Sequence, residues 1–175
     1  ITANGDAAAT NFNPFNTDIN TVRGQETGYA TLNPLRYSGY STSDRIFTDG
    51  NLRMLGRGDG VSNFGATTGK FYAEVFVERI KSGESGQGYI GVIAEPQTYG
   101  ERGWPTNKVA ALRDSGGGGS NNFYGDGKGT TTTTWTEGDT ISVAFDADAA
   151  KVWIAKNGQY INGGNPATGA TPSFS

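Results

Sequence analysis

The stretch that most constrains the fold of this chain runs from Trp135 to Gly158 and has the pattern of two strands joined by a turn. Ile141, Val143 and Phe145 alternate with small or polar residues, which is the period of a strand that buries one face. A short polar turn and a returning strand follow. Asn157-Gly158 then gives a strong hairpin signal, because both central residues of a type I′ turn need positive φ. The stretch therefore predicts antiparallel β structure.

The composition of the whole chain agrees with an all-β fold. Glycine accounts for 28 of the 175 residues and hydrophobic residues for only 34%, which favours many turns and short strands over helices. The net charge of −3 does not favour binding to nucleic acid or to an anionic membrane. No apolar run approaches the ~20 residues that a membrane-spanning helix needs. We therefore expect no nucleic-acid partner and no membrane insertion.

Cysteine and histidine are both absent from the sequence. Their absence removes Ser-His-Asp and Cys-His nucleophilic sites, zinc sites with thiolate or imidazole ligands, and disulfide bonds. Carboxylates, lysine, tyrosine and serine remain as the groups available for catalysis. We expect no cofactor.

Three segments of the chain, in the right order, resemble the signature of the SPRY (B30.2-like) domain. They are Gly69–Val75, Gly88–Val92 and the stretch from Trp135 to Gly158. The resemblance covers roughly Leu32 to Phe174. It implies a two-sheet antiparallel β-sandwich of the concanavalin A-like jelly-roll type, which binds other molecules and usually catalyses nothing. Because a fold does not fix a function, the partner has to be argued separately.

The chain is predicted to contain an extended arm at 1–25 and one SPRY-like sandwich at 26–175. The arm is polar and has no sustained apolar period, which is typical of a linker. The segment from Phe12 to Leu35 resembles linkers of tailed-phage structural proteins that lead into a SPRY-like domain. One more strand pair normally follows in the SPRY pattern. We therefore expect the closing strands to be missing and the natural polypeptide to continue beyond Ser175.

Alternation also predicts the individual strands. Lys70–Ile80 is expected to be the longest strand, with Phe71, Ala73, Val75 and Val77 facing the core. Gly88–Ala94 is nearly all apolar, which predicts a central strand buried on both faces. The threonine-rich segment 125–134 is expected to be extended and exposed, in the manner of an edge strand. Shorter strands are predicted at 29–32, 45–48, 51–55, 109–112 and 123–124, the second and third forming a hairpin around Asp49-Gly50.

The candidate binding site lies on two predicted loops, Glu95–Asn107 and Arg113–Tyr124. Aromatic faces stack on sugar rings, and planar amides and carboxylates reach pairs of hydroxyl groups. The same mixture of side chains is enriched in protein-binding surfaces, and loops on a rigid sandwich often carry function. The alternative is that Trp104 and Tyr124 fold back over the core. The predicted ligand-binding residues are Tyr99, Arg102, Trp104, Asp114, Asn121, Asn122 and Tyr124.

Acidic residues suggest two further sites, each with a simpler interpretation. Asp146 with Asp148, or Asp126 with nearby carbonyl groups, offers oxygen ligands for Ca²⁺, but the spacing favours turn-forming aspartates. A pair drawn from Glu74, Glu78 and Glu95 fits the demand of glycoside hydrolysis for two acids about 5–10 Å apart. A solvated sheet surface explains these glutamates equally well. We therefore predict no metal site and no catalytic residue.

The sequence leads to a non-catalytic recognition module of a phage virion, in a tail fibre, tail tip or head decoration protein. Its expected partners are a host-surface glycan or protein and other virion proteins, on the outside of the particle, with the chain forming a homo-oligomer. An alternative is a structural module that joins virion subunits through the arm and an edge strand. A carbohydrate-active enzyme is the third hypothesis.

Overall fold

The computed structural model describes residues 30–35, 45–56, 58, 60–80, 88–94, 109–114 and 121–175. Contacts divide the chain into two compact units, Ile1–Gly65 and Ala66–Ser175. Every pair of neighbouring strands within the described residues is antiparallel. The one helical turn described is a 3₁₀ turn at Ile161–Gly163. These observations confirm the predicted all-β fold class; the arm at 1–25 lies outside the described residues.

No helix within the described ranges is long and apolar enough to cross a bilayer.

In the first unit, a hairpin joins β1 (Ile46–Thr48) to β2 (Arg53–Leu55). Its loop has positive φ at 49–51, where Asp, Gly and Asn are among the residues that best tolerate the left-handed conformation. The hairpin predicted around Asp49-Gly50 is therefore confirmed. Leu32 forms an isolated bridge with Ser62 at the end of the predicted strand 29–32.

The second unit contains two antiparallel sheets. The four-stranded sheet has the order β3-β7-β8-β9, and the three-stranded sheet has the order β4-β5-β6. The strands are β3 (Lys70–Phe76), β4 (Tyr89–Ile93), β5 (Val109–Arg113), β6 (Phe123–Gly125), β7 (Thr140–Asp146), β8 (Lys151–Lys156) and β9 (Gln159–Tyr160).

The two sheets pack face to face around one hydrophobic core. Ile141 of β7 and Ile154 of β8 are fully buried, as is Leu112 of β5 in the opposing sheet. Phe123 of β6 completes this layer, and its ring centroid lies 5.1 Å from that of Phe174. Burying each such side chain contributes about 1.5–3 kcal/mol. The second unit is therefore the two-sheet antiparallel β-sandwich expected from the sequence.

The hairpin β7–β8–β9 confirms the local prediction and corrects one part of it. Asn157 and Gly158 have φ of 51° and 79°, as a type I′ turn requires. However, Ser142 and Trp153, which point away from the core, are also buried. The indole N–H of Trp153 donates to the carbonyl oxygen of Ala170 at 2.8 Å, so the segment after β9 covers this outer face. The expectation of a single buried face was wrong because the cover comes from a distant part of the chain.

β3 differs from its prediction in its burial. Of the four side chains expected in the core, only Val77 is buried, and it lies just beyond the strand. Val75 is 44% exposed although it faces the same side as the buried Ile141. The reason is that the described strands of the opposing sheet contact β7 and β8. β3 lies beyond their edge.

One other prediction of burial was wrong, and another holds only in part. β4, expected to be central, pairs with β5 alone among the described strands and is only partly buried. Segment 125–134 is mostly exposed or half-buried, as expected, but Gly125 and Thr131 are buried. A few backbone hydrogen bonds hold this segment, among them that from the N–H of Gly129 to the carbonyl oxygen of Ser173. Side-chain amides add to them: that of Asn122 donates to the carbonyl oxygen of Thr132, and that of Asn162 to the carbonyl oxygen of Thr130. The sequence of an apolar run or a threonine-rich run does not show which other segments of the chain pack against it.

Candidate functional site

The outer surface of the three-stranded sheet carries an aromatic cluster. Leu112 and Phe123 face the core, so their neighbours of opposite parity face outward. The register places Tyr89 opposite Arg113 and Tyr124 opposite Ala111, two residues before Arg113 and therefore on the same side of the sheet. We call the surface formed by Tyr89, Arg113 and Tyr124 the tyrosine face.

Tyr89 contacts both of the other side chains of the tyrosine face. The ring centroids of Tyr89 and Tyr124 are 4.7 Å apart with the planes tilted by 49°. The guanidinium carbon of Arg113 lies 5.7 Å from the ring centroid of Tyr89, within the range of a cation–π interaction. Burial raises the pKa of Tyr124, Tyr89 raises it further, and Arg113 lowers it in part. The hydroxyl of Tyr124 therefore stays protonated at neutral pH and can donate a hydrogen bond.

Asp114, one of the predicted ligand-binding residues, is buried and directly follows β5. Its carboxylate accepts a hydrogen bond from the backbone N–H of Gly88 at 3.2 Å, and its own N–H donates to the carbonyl oxygen of Gly88. Asp114 also forms a parallel bridge with Trp135, whose indole N–H donates to the carbonyl oxygen of Leu112 at 2.8 Å. These contacts fasten the segment before β7 to β5.

The two predicted amide ligands, Asn121 and Asn122, also make internal contacts. The side-chain oxygen of Asn121 accepts from the N–H groups of Phe123 and Thr131, and its amide group donates to Gly129. Asn122 is buried, and its amide donates to the segment 130–132 as described above. These bonds hold the segment after β6 in place.

The other three predicted residues, Tyr99, Arg102 and Trp104, lie outside the described residues. The strand order nevertheless shows from which ends of the sheet the two predicted loops depart. The β4–β5 connection and the β5–β6 connection leave opposite ends of the sheet, because successive strands are antiparallel. The joint ligand-binding role of the seven residues stays a prediction.

Tyr89 and Arg113 were missed by the sequence reasoning. The signal was present in the alternation, because Tyr89 precedes the inward-facing Ile90 and Arg113 follows the inward-facing Leu112. A large aromatic residue and an arginine at outward positions of neighbouring strands are typical of a binding surface. The predicted binding residues were all assigned to loops, whereas it is the alternation along the strands that identifies Tyr89 and Arg113.

A second polar cluster lies at the end of the four-stranded sheet. Asp139 is buried, and its carboxylate accepts from the Lys156 ammonium at 2.8 Å and from the Asn157 amide at 2.9 Å. Lys156 also donates to the carbonyl oxygen of Thr134, and Asn157 accepts from the N–H of Thr140. Lys156 and Asn157 border an open groove of about 560 Å³, but the hydrogen bonds described here are directed at the protein itself.

The candidate acids have structural contacts. The Asp146 carboxylate accepts from the N–H of Ala149 and pairs with Lys70 at 3.3 Å, and Asp148 accepts from the N–H of Gly69. The hydrogen bond from Ala149, joined by the contact with Lys70, lowers the pKa of Asp146. Both aspartates thus act as turn residues. Within the part of the chain that the structure describes, no three acidic side chains come together as a metal site.

Glu74 accepts hydrogen bonds from the hydroxyl groups of Tyr72 and Ser142 on the outer face of the four-stranded sheet. Glu95, the third candidate acid, lies outside the described residues.

Comparisons with known proteins add one likeness. No protein-family model and no curated protein matches this chain. Among solved structures, the SPRY domain of human HERC1 is similar, with 20% sequence identity and a TM-score of 0.45. The match covers 66% of this chain and 63% of that structure, so this chain spans less than two thirds of its length. At that level the likeness carries no argument about function. The fold class rests on the strand pairing and core described above.

Proposed function

We propose that this chain is a non-catalytic recognition module of a phage virion and that it binds a host-surface glycan or protein through the tyrosine face. It would belong to a tail fibre, a tail tip or a head decoration protein on the outside of the particle, beside other virion proteins. The phage assignment is supported by the likeness of the segment from Phe12 to Leu35 to tailed-phage linkers, and by a sequence rich in Gly, Thr and Asn without Cys or His.

The observation that carries the binding role is the contact of Tyr89, Tyr124 and Arg113 on the outer surface of a sheet. Two tilted rings present an apolar surface at low cost in side-chain entropy, because a tyrosine has only two flexible torsions. Their hydroxyl groups add polar contacts at the rim. Tyr and Arg are also the residues that most often dominate binding energy in interfaces. The sheet beneath holds the cluster in a fixed geometry.

An assembly role is the second candidate, and one observation favours it. Tyr72 and Phe76 of β3 are exposed on the outer face of the four-stranded sheet, on either side of Glu74, and Val75 is exposed on the opposite face of the same strand. Large exposed apolar side chains on one strand are a common feature of protein–protein contacts. For a carbohydrate-active enzyme, the third candidate, the described candidate acids Glu74 and Glu78 are both exposed, and the contacts of Glu74 with Tyr72 and Ser142 are those of a surface carboxylate.

The proposal is tested by glycan-array binding of the full chain beside a Tyr89→Ala variant. We expect saturable binding to a bacterial-type polysaccharide, reduced at least tenfold by Tyr89→Ala, since truncating a hot-spot residue costs about 2 kcal/mol or more. A Phe64→Ala variant is the matched control, because Phe64 is 39% exposed against 36% for Tyr89 and lies in the other unit. The control should bind like the unchanged protein.

Two outcomes would overturn the role of this surface. One is equal affinity of the unchanged protein and the Tyr89→Ala variant for the same glycan. The other is the absence of binding to every glycan and to host-cell envelope proteins while tryptophan fluorescence shows a folded protein. Tyr124→Phe separates the contributions, because it retains the ring and removes only the hydroxyl hydrogen bond.

A further inference from the structure

β3 presents a row of backbone groups along its free side. The N–H of Val77 donates to Asp139 and the carbonyl oxygen of Gly69 accepts from Ala147, so the odd-numbered residues direct their backbone groups at β7. In an antiparallel pair the intervening residues direct theirs the opposite way. The backbone N–H and C=O groups of the even-numbered residues 70–76 therefore point away from β7. Among the described strands, none pairs with this side.

The side chains of β3 make the free side unusual for an edge. On the core-facing side lie Phe71, Ala73 and Val75, and the latter two are exposed. Natural edge strands are normally protected by charges, prolines, bulges or short length. β3 has seven residues without proline, and its inward positions are wholly apolar. Such a strand favours pairing with another strand.

We propose that β3 is the contact through which a second copy of this chain adds its own β3, antiparallel, to form one continuous sheet across a twofold axis. The sequence of β3 is complementary to itself in one register. With Ala73 opposite Ala73 of the second copy, Phe71 faces Val75 on the apolar side, and Tyr72 faces Glu74 on the polar side. All seven residues are then paired, and the Tyr72–Glu74 hydrogen bond within each copy lies beside that of the other.

Charge and length argue against the neighbouring registers that keep the same backbone pairing. Shifting one way places Glu74 opposite Glu74, and like charges directly opposite each other are destabilising. Shifting the other way places Tyr72 opposite Tyr72 and leaves Val75 and Phe76 outside the paired strand. Of these three registers, the one centred on Ala73 pairs all seven residues and opposes no like charges.

The absence of cysteine from the chain allows a direct test, because an introduced cysteine is the only thiol. Residues in a non-hydrogen-bonded antiparallel pair have Cα atoms about 4.5 Å apart, within disulfide reach. We therefore expect Ala73→Cys in the full chain to form a disulfide-linked dimer under mild oxidation. Tyr72→Cys and Glu74→Cys should cross-link much less, because their self-pairs would be about 7–8 Å apart.

A matched control is Gln159→Cys, an exposed position on β9 at the opposite edge of the same sheet. It should remain monomeric under the same conditions. The proposal is overturned if Ala73→Cys cross-links no more than this control, or if position 72 or 74 gives the strongest cross-link.

The unchanged protein provides a second measurement. Sedimentation velocity at rising concentration should show a monomer–dimer equilibrium that Val75→Lys abolishes, because a charge would face Phe71 of the second copy. Tyr72→Pro should do the same without disturbing β7, because proline removes an outward N–H only. Retained tryptophan fluorescence shows that each variant is folded. A monomer at all concentrations would overturn the proposal.

Discussion

Replacing Asp139 by Asn tests whether the polar cluster at the end of the four-stranded sheet stabilises the sandwich. The carboxylate accepts from the Lys156 ammonium, the Asn157 amide and the N–H of Thr136 at 2.8–2.9 Å. It thereby joins the turn before β7 to the turn after β8. The Asn side chain has nearly the same size as that of Asp but carries no charge. Its NH₂ group would also face groups that are themselves hydrogen-bond donors.

The contacts set the magnitude of the effect. Removing one partner of a fully buried ion pair costs about 3–5 kcal/mol. The side chain of Lys156 is 29% exposed, so the released ammonium regains part of its hydration. We therefore expect the free energy of unfolding to fall by about 2–3 kcal/mol at pH 7, at or just below the lower limit of that range.

The effect should depend on pH in a defined direction. Burial alone raises the pKa of Asp139, but hydrogen bonds from Lys156, Asn157 and Thr136, with the charge of Lys156, lower it more, so the net pKa lies below its usual value. The ionised form then stabilises the folded state above the unfolded pKa of about 3.9, and this contribution is lost as the pH falls through the lower folded pKa. The difference between the original protein and Asp139→Asn should therefore shrink below about pH 4.

Urea denaturation followed by tryptophan fluorescence is a suitable assay. The three tryptophans, Trp104, Trp135 and Trp153, all belong to the second unit and report on it alone. Asp126→Asn is the control, because Asp126 is exposed and such a surface substitution should change stability by no more than about 0.5 kcal/mol. A difference that stays constant from pH 5 to pH 2, or no loss at pH 7, would refute the reasoning.

Two further predictions concern packing. Gly88→Ala should lower the stability by about 1–3 kcal/mol, because the new Cβ would lie 2.5 Å from the ring of Trp135; Gly65→Ala, where no atom lies within 4 Å, should leave the melting temperature nearly unchanged. Ser173→Ala should cost about 1–3 kcal/mol in urea denaturation, because its hydroxyl accepts from the buried N–H of Ile154 at 3.0 Å. A loss no larger than that of an exposed Ser→Ala change would show that water replaces this bond.

Local backbone chemistry explains which parts of the fold were predictable. Asn157-Gly158 specifies its own turn, since the positive φ values are set by the two residues themselves. The alternation of Ile141 and Val143 likewise needs no distant partner to be recognised. The core-facing side of β7 therefore followed directly from the sequence.

Burial on the other faces depends on residues that are distant in sequence. The segment that contains Ala170 covers Trp153, and no residue near Trp153 in the sequence predicts that contact. The burial of β3 depends on how far the opposing sheet extends, and the burial of β4 depends on which strands flank it in its own sheet; no alternation pattern contains either fact. Both errors therefore concern sheet order and not strand identity.

The candidate site shows a related limit. Asn121 was selected because an amide can bind a ligand, but three internal hydrogen bonds engage it. Residue type alone does not distinguish an outward-facing residue that can bind a ligand from one whose polar groups are bonded within the fold. Strand parity does, because it directs Tyr89 and Arg113 outward from the same sheet that buries Leu112.

The two proposed surfaces lie on different sheets, and this separates their tests. A dimer joined through β3 would carry two tyrosine faces, so its binding to a densely coated glycan surface would gain from multivalency. We expect Val75→Lys to weaken binding to a dense surface by at least tenfold while leaving the affinity for a free monovalent glycan unchanged. Tyr89→Ala should weaken both. If Val75→Lys changes the monovalent affinity as well, the edge and the tyrosine face are not independent. If it changes neither, the dimer plays no part in recognition even where cross-linking shows that it forms.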